Sequence, residues 1–280
     1  MTISRPRTVE EACAILAEDP GASLLSGGTD YMVEVNFNHR KPSHVVSLRD
    51  VDGIGGWHHD TSTSSITIGA GVTMATIENP ELASLVPALS QAARTVGSPQ
   101  IRAAATIGGN LGTASPAGDT LPVLSALDAV VEVASMSMRR EVSIHEFFLG
   151  PKRSALQHGE MIVALRVPCV DGPQHYAKVG VRNAMVISIA SACLAIQSGR
   201  SRVALGSVGP TVIRCPDAEA YLDAAIVSGQ LGDEEIGEFA RLVARDARPI
   251  DDHRSTAAYR RHAIGVLARR LAQRSIPHVQ

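Results

Sequence analysis

Two short loops, each with a pair of adjacent glycines, limit most strongly what this chain can fold into. The first, SGGTD at residues 26–30, follows a short apolar stretch. The second, TIGGN at residues 106–110, opens a long run of small residues that ends at Asp119. Paired glycines let a backbone adopt positive φ angles and approach a ligand closely. A strand before the first loop and a helix after it predict α/β structure in this part of the chain.

Both loops have features that suit a phosphate-containing ligand. Exposed backbone N–H groups beside a helix N-terminus favour phosphate or pyrophosphate. Ser26 and Thr29 add hydroxyl donors to the first loop, and we expect Asp30 to cap the helix that follows. We expect Asp119, at the end of the second run, either to cap a helix or to accept hydrogen bonds from a ligand. Each loop alone is also compatible with an ordinary strand–turn–helix junction, but two of them fit a dinucleotide.

The common nucleotide-binding motifs are missing from the sequence. There is no G-x-x-x-x-G-K-[ST] stretch. The nearest G-x-G strings begin at Gly53 and Gly69, and His58 and Met74 stand where the third small residue is required. The glycine pairs therefore carry the dinucleotide interpretation without support from a P-loop or a Rossmann fingerprint.

The length of 280 residues exceeds the roughly 100–200 typical of one domain, so we expect two or three domains. Gly-, Ser- and Asp-rich stretches at residues 51–64 and 171–173 predict the boundaries. The resulting domains are residues 1–55, 56–170 and 171–280. The first two have mixed α/β patterns. The third has three strands followed by three helices, which makes the whole chain α+β.

Charge and cysteine usage exclude several classes of protein. The 26 basic and 28 acidic residues give no positive excess for binding nucleic acid. The four cysteines form no C-x-x-C pair, so a zinc site or iron–sulfur cluster held by this chain alone is not expected. No apolar run of about 18 residues is present to span a membrane. The N-terminal residues lack a signal-peptide pattern, and we expect a cytoplasmic protein with reduced thiols.

Four stretches in a fixed order resemble a known family. SGGTD, TIGGN and SPAGDTLP (residues 115–122) resemble AGGTD, T-x-GGN and SPAxD-x-P of the FAD subunits of molybdenum hydroxylases, the xanthine dehydrogenase/carbon monoxide dehydrogenase group. Residues 252–261, DHRSTAAYRR, resemble D-x-R-x-S-A-x-YRR of its C-terminal domain. The resemblance spans nearly the whole chain. Two departures are Ser26 in place of alanine and Arg254-Ser255-Thr256, which lacks a small residue before the serine.

The resemblance implies a fold and a set of cofactor contacts. The fold is a two-subdomain FAD-binding region of the vanillyl-alcohol-oxidase-like, PCMH type over residues 1–55 and 56–170. A three-stranded antiparallel sheet and a three-helix bundle follow. The FAD-binding positions it implies are Leu24, Leu25, Ser26, Gly27, Gly28, Thr29, Asp30, Val96, Thr106, Ile107, Gly108, Gly109, Asn110, Ser115, Asp119, Ile162 and Lys178.

Individual roles also follow from the resemblance. Ile162 lies against the cofactor, and Lys178 lies near the flavin ring, where it can stabilise negative charge; a solvated lysine is the alternative. Val96 lies near the flavin face, at a position that is aromatic in some relatives. No catalytic or metal-binding residue is implied, and no histidine has a context for covalent attachment, so we expect non-covalent FAD. Tyr259-Arg260-Arg261 is expected to serve domain packing.

The function that the resemblance implies is electron transfer within a larger enzyme. A large partner subunit holds the molybdenum cofactor, and a small partner holds two [2Fe–2S] clusters. The complex is expected to be a dimer of heterotrimers. FAD on this chain accepts electrons from the clusters and passes them to NAD, quinone or oxygen. Two alternatives are a stand-alone FAD-dependent oxidase or reductase and a non-catalytic FAD-binding scaffold.

Overall fold

The computed structural model describes residues 1–276. Its strands are β1 (Thr2–Ser4), β2 (Ala22–Leu25), β3 (His44–Ser47), β4 (Trp57–Asp60), β5 (Ser65–Gly69), β6 (Val130–Ala134), β7 (Arg139–Ser143), β8 (Phe148–Gly150), β9 (Arg153–Ser154), β10 (Met161–Pro168), β11 (Gln174–Val179), β12 (Ala190–Gln197), β13 (Arg200–Gly206) and β14 (Ile213–Arg214). Its helices are α1 (Val9–Glu18), α2 (Tyr31–Asn36), α3 (Met74–Ile77), α4 (Pro80–Leu85), α5 (Pro87–Arg94), α6 (Pro99–Ala104), α7 (Ile107–Thr113), α8 (Leu121–Ala126), α9 (Ile144–Phe147), α10 (Pro216–Ser228), α11 (Asp233–Asp246) and α12 (Ala257–Ser275).

The chain forms two compact units, each assembled from several stretches of sequence. Unit 1 comprises Met1–Thr76, Pro99–Ala114 and Ala129–Pro168. Unit 2 comprises Ile77–Ser98, Ser115–Asp128 and the chain from Cys169 onward. The boundaries after residues 55 and 170 stay a prediction from composition. None of the helices within residues 1–276 has the length and apolar character needed to cross a membrane.

Unit 1 contains a small parallel sheet and a larger antiparallel one. The parallel sheet has the order β1-β3-β2, and the antiparallel sheet has the order β4-β5-β10-β6-β7. Helix α1 begins at Thr8, whose hydroxyl accepts a hydrogen bond from the N–H of Glu11. Its buried face, with Ala12 and Leu16, packs into one apolar cluster with Val46, Met161 and Val163. One core therefore joins α1 to strands of both sheets.

Strand β10 is the central strand of the larger sheet, and its apolar sequence MIVALRVP suits that position. It pairs antiparallel with β5 on one side and β6 on the other. The register against β6 shifts between Ile162 and Ala164, so Val163 is an extra residue. Such a β-bulge bends the strand and changes the direction of nearby side chains.

Unit 2 contains an antiparallel sheet of order β11-β12-β13-β14. The sequence predicts three strands in this sheet, and the structure has four. The additional strand is β14. Strand β14 has only two residues, which is too short for a hydrophobic pattern to reveal it. The sheet packs with α10, α11 and α12 around a shared core that includes Leu205, Leu222, Phe239 and Ile264. This region is therefore α+β, as expected.

A buried ion pair fixes the chain just before β10. Nε and Nη2 of Arg140 donate to the two carboxylate oxygens of Glu160, both at 2.7 Å. The Glu160 side chain is 6% exposed and also accepts a hydrogen bond from the N–H of Gln157. The hydrogen bonds from Arg140 outweigh burial and lower the pKa of Glu160. Ile162 lies two residues after Glu160, at the start of β10.

We predict that Arg140→Met lowers the free energy of unfolding by about 3 kcal/mol at pH 7, because it leaves a buried carboxylate without its charged partner. The folded-state pKa of Glu160 lies below the unfolded value of about 4.3. The contribution of the pair is therefore present above that pH and is lost as pH falls through the folded pKa. Denaturant unfolding at neutral and acidic pH measures this change.

The control is Arg139→Met, which removes an exposed arginine that pairs with the exposed Glu10. Exposed pairs contribute at most about 1 kcal/mol, so this variant is expected to unfold close to wild type. Equal destabilisation by the two substitutions at pH 7 would contradict the assignment.

Candidate functional site

The first glycine loop connects β2 to α2 and contains two glycines with different requirements. Gly28 has φ of +73°, a left-handed conformation that glycine adopts readily. A Cβ on Gly27 would lie 1.9 Å from the carbonyl oxygen of Ala104. No side chain can occupy that space without moving backbone. Gly27 is therefore required by close packing against the end of α6, which the sequence did not indicate.

The backbone of this loop presents free hydrogen-bond donors. Within residues 1–276, the N–H groups of Gly27, Gly28 and Thr29 donate to no other protein group. The carbonyl of Gly28 accepts from Met32, which begins the hydrogen-bonding of α2. Successive free N–H groups in a glycine turn form a concave donor surface suited to an anion.

Asp30 does not cap α2 as the sequence predicted. It occupies the N-cap position, but its side chain makes no capping hydrogen bond and is exposed. Its φ of −104° and ψ of −46° are helical, whereas a capping side chain normally requires an extended backbone. Only the backbone carbonyl of Asp30 contributes to the hydrogen bonding of α2, because it accepts from the N–H groups of Val33 and Glu34.

The second glycine loop is joined directly to the first. Thr106 is the N-cap of α7, and its hydroxyl accepts from the N–H of Gly109 at 3.0 Å. The same hydroxyl lies 2.9 Å from Oγ of Ser26, within hydrogen-bonding distance. The two loops that the sequence placed 80 residues apart therefore meet at two hydroxyl groups.

The second loop uses its N–H groups inside the protein. Ile107 donates to the carbonyl of Val72, and Gly108 donates to that of Ala70. A Cβ on Gly108 would lie 2.6 Å from Cβ of Ala70, so this glycine is required by packing. A Cβ on Gly109 would meet only Oγ1 of Thr106, at 3.0 Å. Gly109 is therefore the glycine of this pair that leaves room for a ligand.

Other predicted positions in unit 1 lie beside these loops. Leu24 and Leu25 end strand β2 and are partly buried. Asn110 is in the first turns of α7 and is partly buried. Ile162 is 6% exposed, and its Cδ1 lies 3.9 Å from the position of a Cβ on Gly112 of α7. The bulge of β10 thus places Ile162 against the helix that the second loop begins.

In unit 2, Asp119 is a buried carboxylate with four protein donors. Oδ1 accepts from the hydroxyls of Tyr176 at 3.0 Å and Ser188 at 2.6 Å. Oδ2 accepts from Nζ of Lys178 at 2.6 Å, and it lies 3.1 Å from the hydroxyl of Thr95, whose single proton it shares with the carbonyl of Ala92 at 2.8 Å. These five residues are called the Asp119 cluster below. Asp119 is therefore not a helix cap; the N-cap of α8 is Thr120.

Lys178 is largely buried and its ammonium is bonded to protein groups, which rules out the solvated-lysine alternative. Its side chain is 10% exposed, and Nζ donates to Asp119 and to the carbonyls of Thr95 and Val186 at 3.0 and 3.1 Å. These three acceptors use all three donors of an ammonium group. Lys178 therefore neutralises Asp119 and holds two loop segments through their carbonyls.

Sequence reasoning missed three members of the Asp119 cluster. Tyr176 precedes Lys178 by two residues, so strand alternation places both side chains on one face of β11, and this signal could have identified it. Burial, followed by the charge of Asp119, raises the pKa of Tyr176 well above its usual range, so the phenol remains a donor. Thr95 and Ser188 follow no pattern that would have identified them.

Val96 and Ser115 occupy loop positions in unit 2. Val96 follows Thr95 directly and is partly buried, and its N–H donates to the carbonyl of Ala93. The Ser115 hydroxyl accepts from the N–H of Ala117, and its carbonyl accepts from that of Gly118. Ser115 therefore shapes the turn that leads to Asp119.

Two family models together match almost the whole chain. The FAD binding domain in molybdopterin dehydrogenase matches residues 1–170, and the CO dehydrogenase flavoprotein C-terminal domain matches residues 175–275. The chain therefore belongs to the FAD-binding medium-chain subunits of the xanthine dehydrogenase/carbon monoxide dehydrogenase family. It is a flavoprotein component of an oxidoreductase, and its cofactor is FAD.

Similar proteins agree with this membership. The putative xanthine dehydrogenase FAD-binding subunit of Escherichia coli is 30% identical, over 97% of this chain and 94% of its own length. The carbon monoxide dehydrogenase medium chain of Afipia carboxidovorans is 26% identical, over 97% and 95%. A chain of carbon monoxide dehydrogenase from Hydrogenophaga pseudoflava, in a form lacking the Mo-pyranopterin moiety, superposes with a TM-score of 0.91. It is 25% identical and is covered over 98% of its length, with all of this chain matched.

We predict that Gly27→Ala strongly destabilises unit 1, because its Cβ would overlap the carbonyl oxygen of Ala104. The expected loss of unfolding free energy is at least about 2 kcal/mol. Gly112→Ala is the control: Gly112 is an exposed position of helix α7, where alanine is favoured over glycine by about 1 kcal/mol. Thermal unfolding of both variants without added FAD measures the effect. A Gly27→Ala protein that melts at the wild-type temperature would refute the packing argument.

Proposed function

We propose that this chain binds FAD non-covalently and transfers electrons within a multi-subunit molybdenum hydroxylase. The observation that carries the proposal is the first glycine loop, with its free N–H groups, joined to Thr106 of the second loop. Loops of this kind suit a pyrophosphate, and FAD contains one. The family membership reported above supports the same ligand.

The residues present fit the cofactor in two respects. The N–H groups of Gly27, Gly28 and Thr29 have no protein acceptor within residues 1–276, so an anion can satisfy them. Oη of Tyr31, the residue that begins α2, is buried without a hydrogen-bond partner in the same part of the chain. Buried polar atoms normally have a partner, so this hydroxyl suits a polar ligand group.

The proposed contacts divide by chemistry. The backbone of residues 26–29 and the hydroxyls of Ser26 and Thr29 bind the pyrophosphate, and Gly109 leaves the space for its approach. Apolar contact comes from Leu24, Leu25, Val96 and Ile162, while Ile107, whose side chain is fully buried in the protein, belongs to the proposed set through its place in the second loop. Asp30, Thr106, Gly108, Asn110, Ser115, Asp119 and Lys178 complete the proposed set. Of these, Thr106, Gly108 and Ser115 shape the loops through their own hydrogen bonds or packing.

Bound FAD supplies reversible electron transfer, and the chain supplies binding, orientation and charge. The Asp119 cluster provides a fixed carboxylate and a fixed ammonium, each satisfied by protein groups. Such a pair does not need to reorganise when charge develops nearby. We propose that Lys178 favours negative charge on the flavin and that Asp119 opposes it, so the balance of the two tunes the midpoint potential.

The partners we propose are a small subunit with two [2Fe–2S] clusters and a large subunit with the molybdenum cofactor. The name "medium chain" carried by the Afipia carboxidovorans relative denotes one chain among several. Residues 1–276 contain no group of three or more side chains placed to hold a metal ion. We further propose assembly as a dimer of heterotrimers in the cytoplasm, with NAD, quinone or oxygen as the electron acceptor.

We predict that Gly109→Ala weakens FAD binding by at least about tenfold, or about 1.4 kcal/mol. The added methyl group meets only the Thr106 hydroxyl within the protein and would stand where the ligand approaches. Fluorescence titration with FAD gives the dissociation constant, and circular dichroism verifies folding. Gly112→Ala, in the same helix, should bind FAD like wild type. Wild-type affinity in the Gly109→Ala protein would remove this loop from the binding site.

We predict that Lys178→Met shifts the midpoint potential of bound FAD by about 30 mV or more to the negative, since 30 mV corresponds to about 1.4 kcal/mol for a two-electron couple. Loss of the ammonium leaves the Asp119 charge unbalanced, which disfavours added negative charge. Asp119→Asn should shift the potential the opposite way. Lys152→Met removes an exposed lysine paired with Glu34 and serves as the control. Redox titration with indicator dyes measures all four proteins; an unshifted Lys178→Met potential would reduce this lysine to a packing role.

A further inference from the structure

Arg260, in the YRR motif of the C-terminal helix, is a buried arginine with three acceptors. It lies in the first turn of α12 and is 4% exposed. Nη1 donates to the carbonyls of Ile189 at 2.7 Å and Ser207 at 2.9 Å. Nη2 donates to Oδ1 of Asp252 at 2.7 Å. The planar guanidinium therefore connects the motif to the start of β12 and the end of β13.

Asp252 fixes the orientation of this guanidinium. Oδ1 of Asp252 also accepts from the N–H groups of Arg254 at 2.8 Å and Ser255 at 3.1 Å. Burial opposes the charge of Asp252, but these hydrogen bonds and those from Arg260 lower its pKa to about 2. The carboxylate is therefore ionised at neutral pH, and both partners of the pair with Arg260 are charged.

The two carbonyls that Arg260 holds lie next to the Asp119 cluster. Ile189 directly follows Ser188, whose hydroxyl donates to Asp119 at 2.6 Å. The N–H of Ser207 donates to the carbonyl of Pro116, in the SPAGD segment that ends at Asp119. Arg260 thus reaches Asp119 by two short routes, one through Ser188 and one through Pro116.

The route through Ser207 includes strained backbone. Ser207 has φ of +62°, a left-handed conformation that costs free energy in any residue with a side chain. Its N–H is held by Pro116 and its carbonyl by Arg260, so both sides of the residue are fixed. Just before it, a Cβ on Gly206 would lie 2.5 Å from Oγ of Ser191 and 2.7 Å from Cγ of Pro122, so this position packs closely and admits no larger residue.

We propose that Arg260 is a positioning residue for the flavin site: through the carbonyls of Ile189 and Ser207 it fixes the Asp119 cluster in the geometry that binds FAD. The inference rests on the proposed function, in which Asp119 and Lys178 lie by the cofactor. It gives the YRR motif a role in cofactor binding beyond the packing expected from the sequence.

The test is Arg260→Lys in the full chain. A lysine ammonium lacks the planar fork needed to hold two carbonyls and a carboxylate in this arrangement. We expect FAD affinity to fall about tenfold, as is typical when a group that supports a ligand-binding residue is lost. We also expect a shifted flavin absorption band in the bound state. Arg261→Lys, the same change at the exposed neighbouring arginine, should leave both properties unchanged.

A double-mutant cycle distinguishes positioning from stability. Ser188→Ala removes the hydroxyl that links the Arg260 region to Asp119. If the two residues act along one route, the double variant Arg260→Lys/Ser188→Ala changes the free energy of FAD binding by less than the sum of the two single changes. A purely structural role would instead lower the melting temperature of the FAD-free chain while leaving FAD affinity and the absorption band unchanged, which would overturn the inference.

Failure of the inference is separable from failure of the proposed function. A wild-type chain that does not bind FAD would overturn the proposed function. A wild-type chain that binds FAD, with Arg260→Lys binding equally well, would overturn only the positioning role. If Arg260→Lys does not fold, Asp252→Asn is measured in its place. This substitution keeps the shape of the side chain at residue 252 and removes the charge that orients Arg260. Wild-type FAD affinity in the folded Asp252→Asn protein would equally overturn the role.

Discussion

The hydroxyl of Thr106 is the interaction on which the proposed pyrophosphate site depends. It accepts from the N–H of Gly109 and so caps the start of α7. It also lies within hydrogen-bonding distance of the Ser26 hydroxyl, and this contact fixes the first loop. Close packing reinforces this junction, because Gly27 admits no side chain beside Ala104. The result is a loop whose N–H groups are held in place but not used. A preorganised donor surface of this kind binds an anion without first losing its own hydrogen bonds.

Unit 2 instead holds charged side chains in fixed positions away from solvent. Asp119 and Lys178 neutralise each other, and every remaining donor or acceptor on them is bonded to the protein. Removing one partner of such a pair leaves an uncompensated buried charge, so each single substitution is expected to lower the stability of the chain. Asp252 and Arg260 form a second ion pair in this unit. It is connected to Asp119 through Ser188 and through Pro116.

Much of this arrangement could be read from the sequence, and the remainder depends on tertiary contacts. The two glycine pairs and Asp119 stand in local sequence motifs, whereas Lys178 was indicated only by the family resemblance. The capping role predicted for Asp30 was wrong, and of the two roles considered for Asp119 the structure excludes capping, since the sequence beside a helix start does not show whether a side chain caps the helix. Contacts such as Gly27 on Ala104, Ser188 on Asp119 and Arg260 on Ser207 join distant residues, and no local pattern encodes them. The two-residue strand β14 was too short to predict.

The measurement that tests the central claim most directly is the flavin content of the purified chain. The chain is saturated with FAD, freed of excess ligand, and then heated or acidified to release what is bound. The account predicts about one FAD per chain, all of it released into solution as unmodified FAD, as expected for a non-covalently held cofactor. A chain that retains no FAD after saturation would contradict the proposed site, and flavin that stays attached to the denatured chain would contradict non-covalent binding.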